Sequence, residues 1–400
     1  MVSAKQSTVR WPLMGETITF GDRLRMAYFA LTTKKFTNGE RVKKFEYEWN
    51  NWLGSKYSLY VSSGSTANLL LVDAIKEKYR IKNGSKVLVP ACTWVTNIAP
   101  IIQLGLKPIF CDINLYNFSF DTAHAYEIVK KHPDIKMVFT THLLGYPANN
   151  ETIQSIFRDA LFIDDVCESH GAVGRDGRKI GSSSLGSTFS FYFGHHMSTI
   201  EGGMISTDNA ELYDLMKMKR SHGMARESLV PNVHADMWPE IDKQFLFMTE
   251  GYNFRNHEIC AVLGSSQLKR LDKMVERRKR NLQLFSNIID EHSNLFYNIE
   301  NAVGNSSFCL PFICKSAEIM QNMKKVFAEN GIEYRPIVSG NLLRQPFLKK
   351  KGYKLESDSK NNIELLHTQG VYIGNNHFID DDDMYFLNTM LRKINAGRNF

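Results

Sequence analysis

Short apolar runs alternate with longer amphipathic stretches over the first half of the chain. Residues 58–61, 86–90, 108–112, 137–141 and 161–164 are predominantly apolar, as strands buried on both faces are. Between them, 66–79, 97–103, 123–131 and 151–157 read as helices. This alternation predicts an α/β fold with a mostly parallel sheet covered on both faces. Residues 187–193 and 203–207 add two strands joined by a polar loop. From 263 to 289 the period becomes helical, with Leu268, Leu271, Met274 or Val275, Leu282 and Phe285 on one face. The charged run from Glu276 to Arg280 reads as that helix's solvated face. A junction near residue 280 divides a large domain, 1–280, from a smaller C-terminal α/β domain, 281–400. The first 35 residues pack against the small domain or against a partner subunit.

Composition narrows the class. With 400 residues, 43% of them apolar, the chain can bury a large core. It has no repeat, heptad run or nucleic-acid motif. The N-terminal segment lacks a signal-peptide core, and no run approaches the roughly 18 apolar residues of a membrane span. A cytoplasmic, soluble protein with no membrane or nucleic-acid partner is expected. The net charge of +7 suits an anionic ligand such as a nucleotide diphosphate, or simply a mildly basic surface. The six cysteines are scattered without CxxC or CxC spacing, so buried free thiols and no metal are expected.

Three segments carry candidate chemistry. In Val61-Ser62-Ser63-Gly64-Ser65-Thr66 a strand ends and a helix begins, which either binds phosphate on free amides or is an ordinary N-cap. In Ile163-Asp164-Asp165-Val166-Cys167-Glu168-Ser169-His170 carboxylates end an apolar strand. A buried carboxylate there needs a protonated ring nitrogen, a metal or a capping role. In Gly194-His195-His196-Met197 two adjacent histidines, if on a strand, point to opposite faces, so at most one meets the site. His196 is read as structural.

Together these segments resemble the DegT/DnrJ/EryC1/StrS family of sugar aminotransferases. The resemblance extends from Phe36-Thr37-Asn38-Gly39 through Glu201-Gly202-Gly203 and Gly251-Tyr252-Asn253-Phe254-Arg255 to Arg335-Pro336-Ile337. It implies the fold-type-I, aspartate-aminotransferase fold of pyridoxal-phosphate enzymes, as a homodimer with shared sites. The family's lysine stands six residues before the Glu of the Glu-Gly-Gly loop, where this chain has His195. Lysine bonds covalently to pyridoxal phosphate through its amine. Imidazole cannot, yet it still carries protons near neutral pH. The cofactor is therefore expected to be non-covalent, as pyridoxamine phosphate.

A subgroup with this histidine comprises 3-dehydratases of nucleotide-linked 4-keto-6-deoxy sugars. Its iron–sulfur branch uses CxC ligands, which this chain lacks. The other branch implies a GDP-linked hexose or heptose substrate, with L-glutamate regenerating the amine. The resemblance assigns His195 as catalyst. It gives Gly64, Ser65 and Ser190 to the cofactor phosphate, and Asn253 to the phosphate of the neighbouring subunit's cofactor. Trp94 would stack on the ring unless it is a core aromatic. Asp165 would pair with the ring nitrogen and Glu168 would lie near the ring hydroxyl. Arg255 and Arg335 would contact substrate anions unless they form structural salt bridges. The rival functions are an aminotransferase on a similar nucleotide sugar and a non-catalytic ligand sensor.

Overall fold

The computed structural model describes residues 9–299, 303–356 and 360–395. Its seven-stranded sheet comprises β1 (Tyr57–Val61), β2 (Lys86–Pro90), β3 (Lys107–Cys111), β4 (Met137–Thr141), β5 (Leu161–Asp165), β6 (Gly186–Ser190) and β7 (Gly203–Thr207). The order is β1-β7-β6-β5-β4-β2-β3. All neighbours from β6 to β3 pair in parallel, whereas β7 runs antiparallel to both β6 and β1. The carboxyl ends of β1, β2, β5 and β6 thus open on one edge.

Alternate residues of each strand enter different cores. Val87, Phe110, Phe139 and Ile163 face one layer, while Leu88, Ile109, Val138 and Phe162 face the other. This explains why the strands are apolar throughout: both sheet faces are covered. The expected strand over 187–193 ends earlier, at Ser190, because Phe191 turns to bond Gly202 and Thr199 across the loop. The two histidines therefore sit in a turn, and the strand argument for opposite faces does not apply. Both rings approach His170 and Phe308.

Two N-terminal helices, α1 (Phe20–Thr32) and α2 (Glu40–Leu53), pack on the long helix Glu258–Glu291. The buried Asp22 carboxylate of α1 pairs with Arg270 of that helix at 2.7 Å. The long helix buries Leu271, Met274 and Val275 in one core, then Leu282, Phe285 and Ile289 in another. The second core covers an antiparallel sheet ordered β8-β10-β9, formed by β8 (Cys309–Ile313), β9 (Tyr334–Pro336) and β10 (Gly370–Gly374). Trp11 fills this core too, and its indole donates to the Gly374 carbonyl at 2.8 Å. The segment before α1 is thereby strapped to the smaller sheet.

The charged run at 276–280 departs from expectation. Arg278 is buried, because it lies four residues beyond Met274 and four before Leu282, on the apolar face. No helix among the described residues is long and apolar enough to cross a membrane. All six cysteines are free, five of them buried.

Candidate active site

After β1 the chain turns into α3 (Gly64–Lys78) through a capping box, in which Ser63 and Thr66 exchange side-chain and backbone bonds. Ser63 thereby satisfies the Thr66 and Ala67 amides. The amides of Gly64 and Ser65 donate to no described group, so the helix start offers N–H donors and a positive dipole end. The cradle is narrow. A Cβ on Gly64 would lie 2.6 Å from the Ser190 Cβ, and one on Gly203 only 2.2 Å from the Ser63 carbonyl oxygen. The Glu-Gly-Gly loop therefore presses directly on the phosphate-type loop. We expect Gly203→Ala to lower stability by about 1–3 kcal/mol, because backbone must move. A denaturant midpoint equal to wild type would contradict this packing.

Asp165 ends β5 and is buried. Its Oδ2 accepts from Asn68 Nδ2 at 3.1 Å, and its Oδ1 from the Cys167 amide at 2.9 Å. Thr188 fixes Asn68 by donating to its Oδ1 at 2.6 Å. Among the described residues no Lys, Arg or His forms an ion pair with Asp165. A buried carboxylate with two neutral donors and no cation fits a ligand that brings its own positive charge. No cluster of three or more His, Cys, Asp or Glu suited to a metal occurs among the described residues.

Glu168 is half-buried, and its Oε2 accepts from the Leu144 amide at 2.9 Å. Leu144 takes a left-handed conformation to present that amide. Burial pushes the Glu168 carboxyl up to about 7, opposed by this hydrogen bond and reinforced by the nearby Asp165 charge.

His195 is half-buried in its turn, with its amide donating to Tyr192 O at 3.0 Å. Its Nδ1 has no partner among the described residues. Burial, and then the Arg278 charge, lower its pKa to about 4, so the ring is a neutral base near pH 7. The Phe308 ring lies 5.6 Å away, and a small cavity beside His195 is lined by Met14, Arg278, Cys309 and Tyr372.

The other expected residues divide. Trp94, in the loop after β2, is 54% exposed at the sheet edge, which removes the core-aromatic reading. Ser190 ends β6 against Gly203. Asn253 is exposed and accepts from Arg255 Nε at 3.1 Å; the segment they share hydrogen-bonds to Ser62 through the Phe254 carbonyl. Arg335 lies opposite Tyr372 in the β9–β10 ladder. Neither Arg255 nor Arg335 forms an ion pair among the described residues, so the salt-bridge alternative finds no partner. Sequence reasoning missed Asn68, Met14, Phe308 and Arg278. Only Arg278 left a signal, a charge at an apolar helical position.

A helix start with free amides, a caged carboxylate and a neutral imidazole at the carboxyl edge of this sheet are the parts of a cofactor-dependent transferase site. The chain belongs to the DegT/DnrJ/EryC1/StrS aminotransferase family, whose profile matches residues 21–384. It is 35% identical over 373 residues to the GDP-4-keto-6-deoxy-D-mannose 3-dehydratase of Escherichia coli O55:H7, covering 90% of this chain and 94% of that one. The solved E. coli GDP-4-keto-6-deoxy-D-mannose-3-dehydratase with bound hydrated PLP superposes with a TM-score of 0.86 at 31% identity, over 96% of this chain and all of that one. A second structure of such an enzyme, holding a trapped PLP–glutamate geminal diamine, gives 0.85 and 32% over the same shares. The fold is therefore that of the pyridoxal-phosphate aminotransferases.

Proposed function

We propose that this chain is a 3-dehydratase of a GDP-linked 4-keto-6-deoxy sugar, working with pyridoxamine phosphate and L-glutamate in 3,6-dideoxy sugar biosynthesis for a surface polysaccharide. The observation that carries this reading is His195, a neutral imidazole with a free ring nitrogen, at the position where an aminotransferase needs an amine.

When bound, pyridoxamine phosphate supplies the amine that engages the sugar's C4 ketone and the ring that accepts an electron pair. Gly64, Ser65 and Ser190 would hold its phosphate at the α3 start, and Asp165 would keep its ring nitrogen protonated. Glu168 would serve the ring hydroxyl, and Trp94 would stack on the ring. His195 would be the group that moves protons, at the cofactor's C4′ carbon and at the C3 oxygen. Arg255 and Arg335 face substrate anions. Overall the sugar loses its C3 oxygen as water, gaining two electrons. Glutamate supplies them and leaves as 2-oxoglutarate, with its nitrogen released as ammonia.

Under the same reading the chain up to residue 280 forms the cofactor-carrying domain, except the segment before α1, which packs on the small domain of 281–400, in a cytoplasmic homodimer. Exposed Leu229, Val233, Met237, Trp238 and Phe245 support a subunit contact, as do Phe20, Leu24 and Tyr28 of α1. Asn253 then reaches the neighbouring subunit's phosphate.

The test is the fate of nitrogen. With ¹⁵N-glutamate and a 4-keto nucleotide sugar, the label should appear as ammonium, and the sugar should lose one oxygen and gain no nitrogen. A labelled 4-amino sugar that keeps its C3 oxygen would make the protein an aminotransferase.

A further inference from the structure

Arg278 is a buried cation without an anion. Its Nη1 alone lies within donor range of three backbone carbonyls, Ser307 at 3.4 Å, Phe308 at 2.9 Å and Asn375, and its Nε has no partner among the described residues. No carboxylate pairs with it among the described residues. A charge buried this way is costly unless its position is used. It lines the same small cavity as His195.

We propose that Arg278 is a positioning residue for His195: its guanidinium clamps the segments that wall the histidine and places an unpaired positive charge in the same cavity. The inference rests on His195 acting as the base.

The clamp is visible in the bonding. Segment 306–308 carries the Phe308 ring against His195, and the Ser306 carbonyl lies 3.2 Å from His196 Nε2. Its other side meets Leu144 and Gly145, through Phe308 N to Leu144 O at 3.0 Å and Ser306 N to Gly145 O at 3.0 Å. Arg278 ties this segment to Asn375, whose amide in turn donates to the Arg278 and Ser307 carbonyls. One guanidinium nitrogen, Nη1, thus joins the long helix, the 306–308 segment and the end of β10.

The groups that face His195 come from several elements. From beyond β5 comes His170, and from its own turn Tyr192 and His196. Burial holds both neighbouring histidines neutral. Cys309 of β8 and Tyr372 of β10 are pushed up by burial and are neutral as well. Glu168, its carboxyl pushed up by burial to about 7, is the carboxylate that acts on both Cys309 and Tyr372. Arg278 is therefore the fixed positive charge that lines this cavity, with Arg335 of β9 acting on Tyr372 from behind. It disfavours imidazolium, so His195 is free to accept a proton at neutral pH. The same repulsion makes the protonated ring a stronger acid, which suits delivery to a leaving hydroxyl.

The test follows the ring signal of ¹³C-labelled His195, assigned by its loss in His195→Gln, in the full-length protein loaded with pyridoxamine phosphate. In wild type the midpoint should lie well below the ordinary imidazole value. Arg278→Gln, which keeps an amide donor but no charge, should raise it by roughly one unit. The acid limb of the rate profile should move up with it. Arg278→Lys, which keeps the charge, should leave the midpoint low. A wild-type midpoint at the ordinary value would overturn the proposal, as would a folded Arg278→Gln with an unmoved midpoint. If Arg278→Gln does not accumulate, the wild-type and Arg278→Lys midpoints decide: a lysine variant at the ordinary value overturns the charge role. These titrations read Arg278 directly, so a 4-amino product would reject the dehydratase reading and leave this result standing.

Discussion

His195→Lys is expected to bind the cofactor covalently and to lower dehydration by about 10²–10⁴-fold, the usual worth of a positioned proton carrier. The turn should tolerate the exchange. It is held by backbone bonds, His195 N to Tyr192 O, Thr199 N to Phe191 O and Phe191 N to Gly202 O, none of which uses the imidazole. The new amine would enter a wall whose fixed charge is the buried Arg278. A second cation there is disfavoured, so the amine should be neutral and nucleophilic. Borohydride reduction followed by mass analysis of peptides should then find a pyridoxyl group on the substituted position. Wild type treated in the same way should carry none on any lysine. The fall in dehydration follows because a captured cofactor no longer cycles freely, and because the imidazole that serves the C3 oxygen is gone. Full dehydratase activity in this variant would remove His195 from the mechanism. So would a native pyridoxyl–lysine adduct in wild type.

The parallel sheet was legible because its strands are apolar on both faces and separated by helical spacing. Runs such as Met137–Thr141 and Gly203–Thr207 could be bounded to the residue. The strand from Ser187 reads longer in the sequence than it is, since Phe191 and Tyr192 look like strand residues while Phe191 turns away to bond Gly202 and Thr199. Among the candidate site residues, those on fixed local motifs could be named: Gly64 at a helix start, Asp165 at a strand end, His195 by its count to Glu201. What stayed hidden were partners distant in sequence. Asn68 bonds Asp165 across 97 positions, and Arg278 reaches Asn375 across the same number. Arg278 was also masked by its neighbours, because a run of like charges reads as a wet surface. Its place in the apolar helical register was the contrary signal, and the register prevailed.

Asp165→Asn is expected to lower turnover by about 10²–10³-fold, comparable to losing one preorganised electrostatic contact in an active site, with little change in the stability of the cofactor-free protein. Two opposing effects set the second expectation. In the free protein Asp165 is a buried charge facing two neutral donors and no described cation, so neutralising it relieves a desolvation cost. Against this, an amide can present only one oxygen. Its NH₂ must then face either the Asn68 amide or the Cys167 N–H, which costs about 1–3 kcal/mol. Asn68 cannot simply turn over to help, because its Oδ1 is occupied by the Thr188 hydroxyl. The two terms are of similar size and should nearly cancel. With pyridoxamine phosphate present they no longer cancel, since the carboxylate then has a cation to balance and the amide has none. The cofactor should therefore raise the melting temperature of wild type more than that of the variant, because stabilisation by a ligand follows its affinity for the folded state. Two thermal melts, with and without pyridoxamine phosphate, separate these contributions from turnover. Near-normal turnover would show that Asp165 does not face the cofactor ring. An equal cofactor-induced shift in both proteins would show that its charge is not what holds the ring nitrogen.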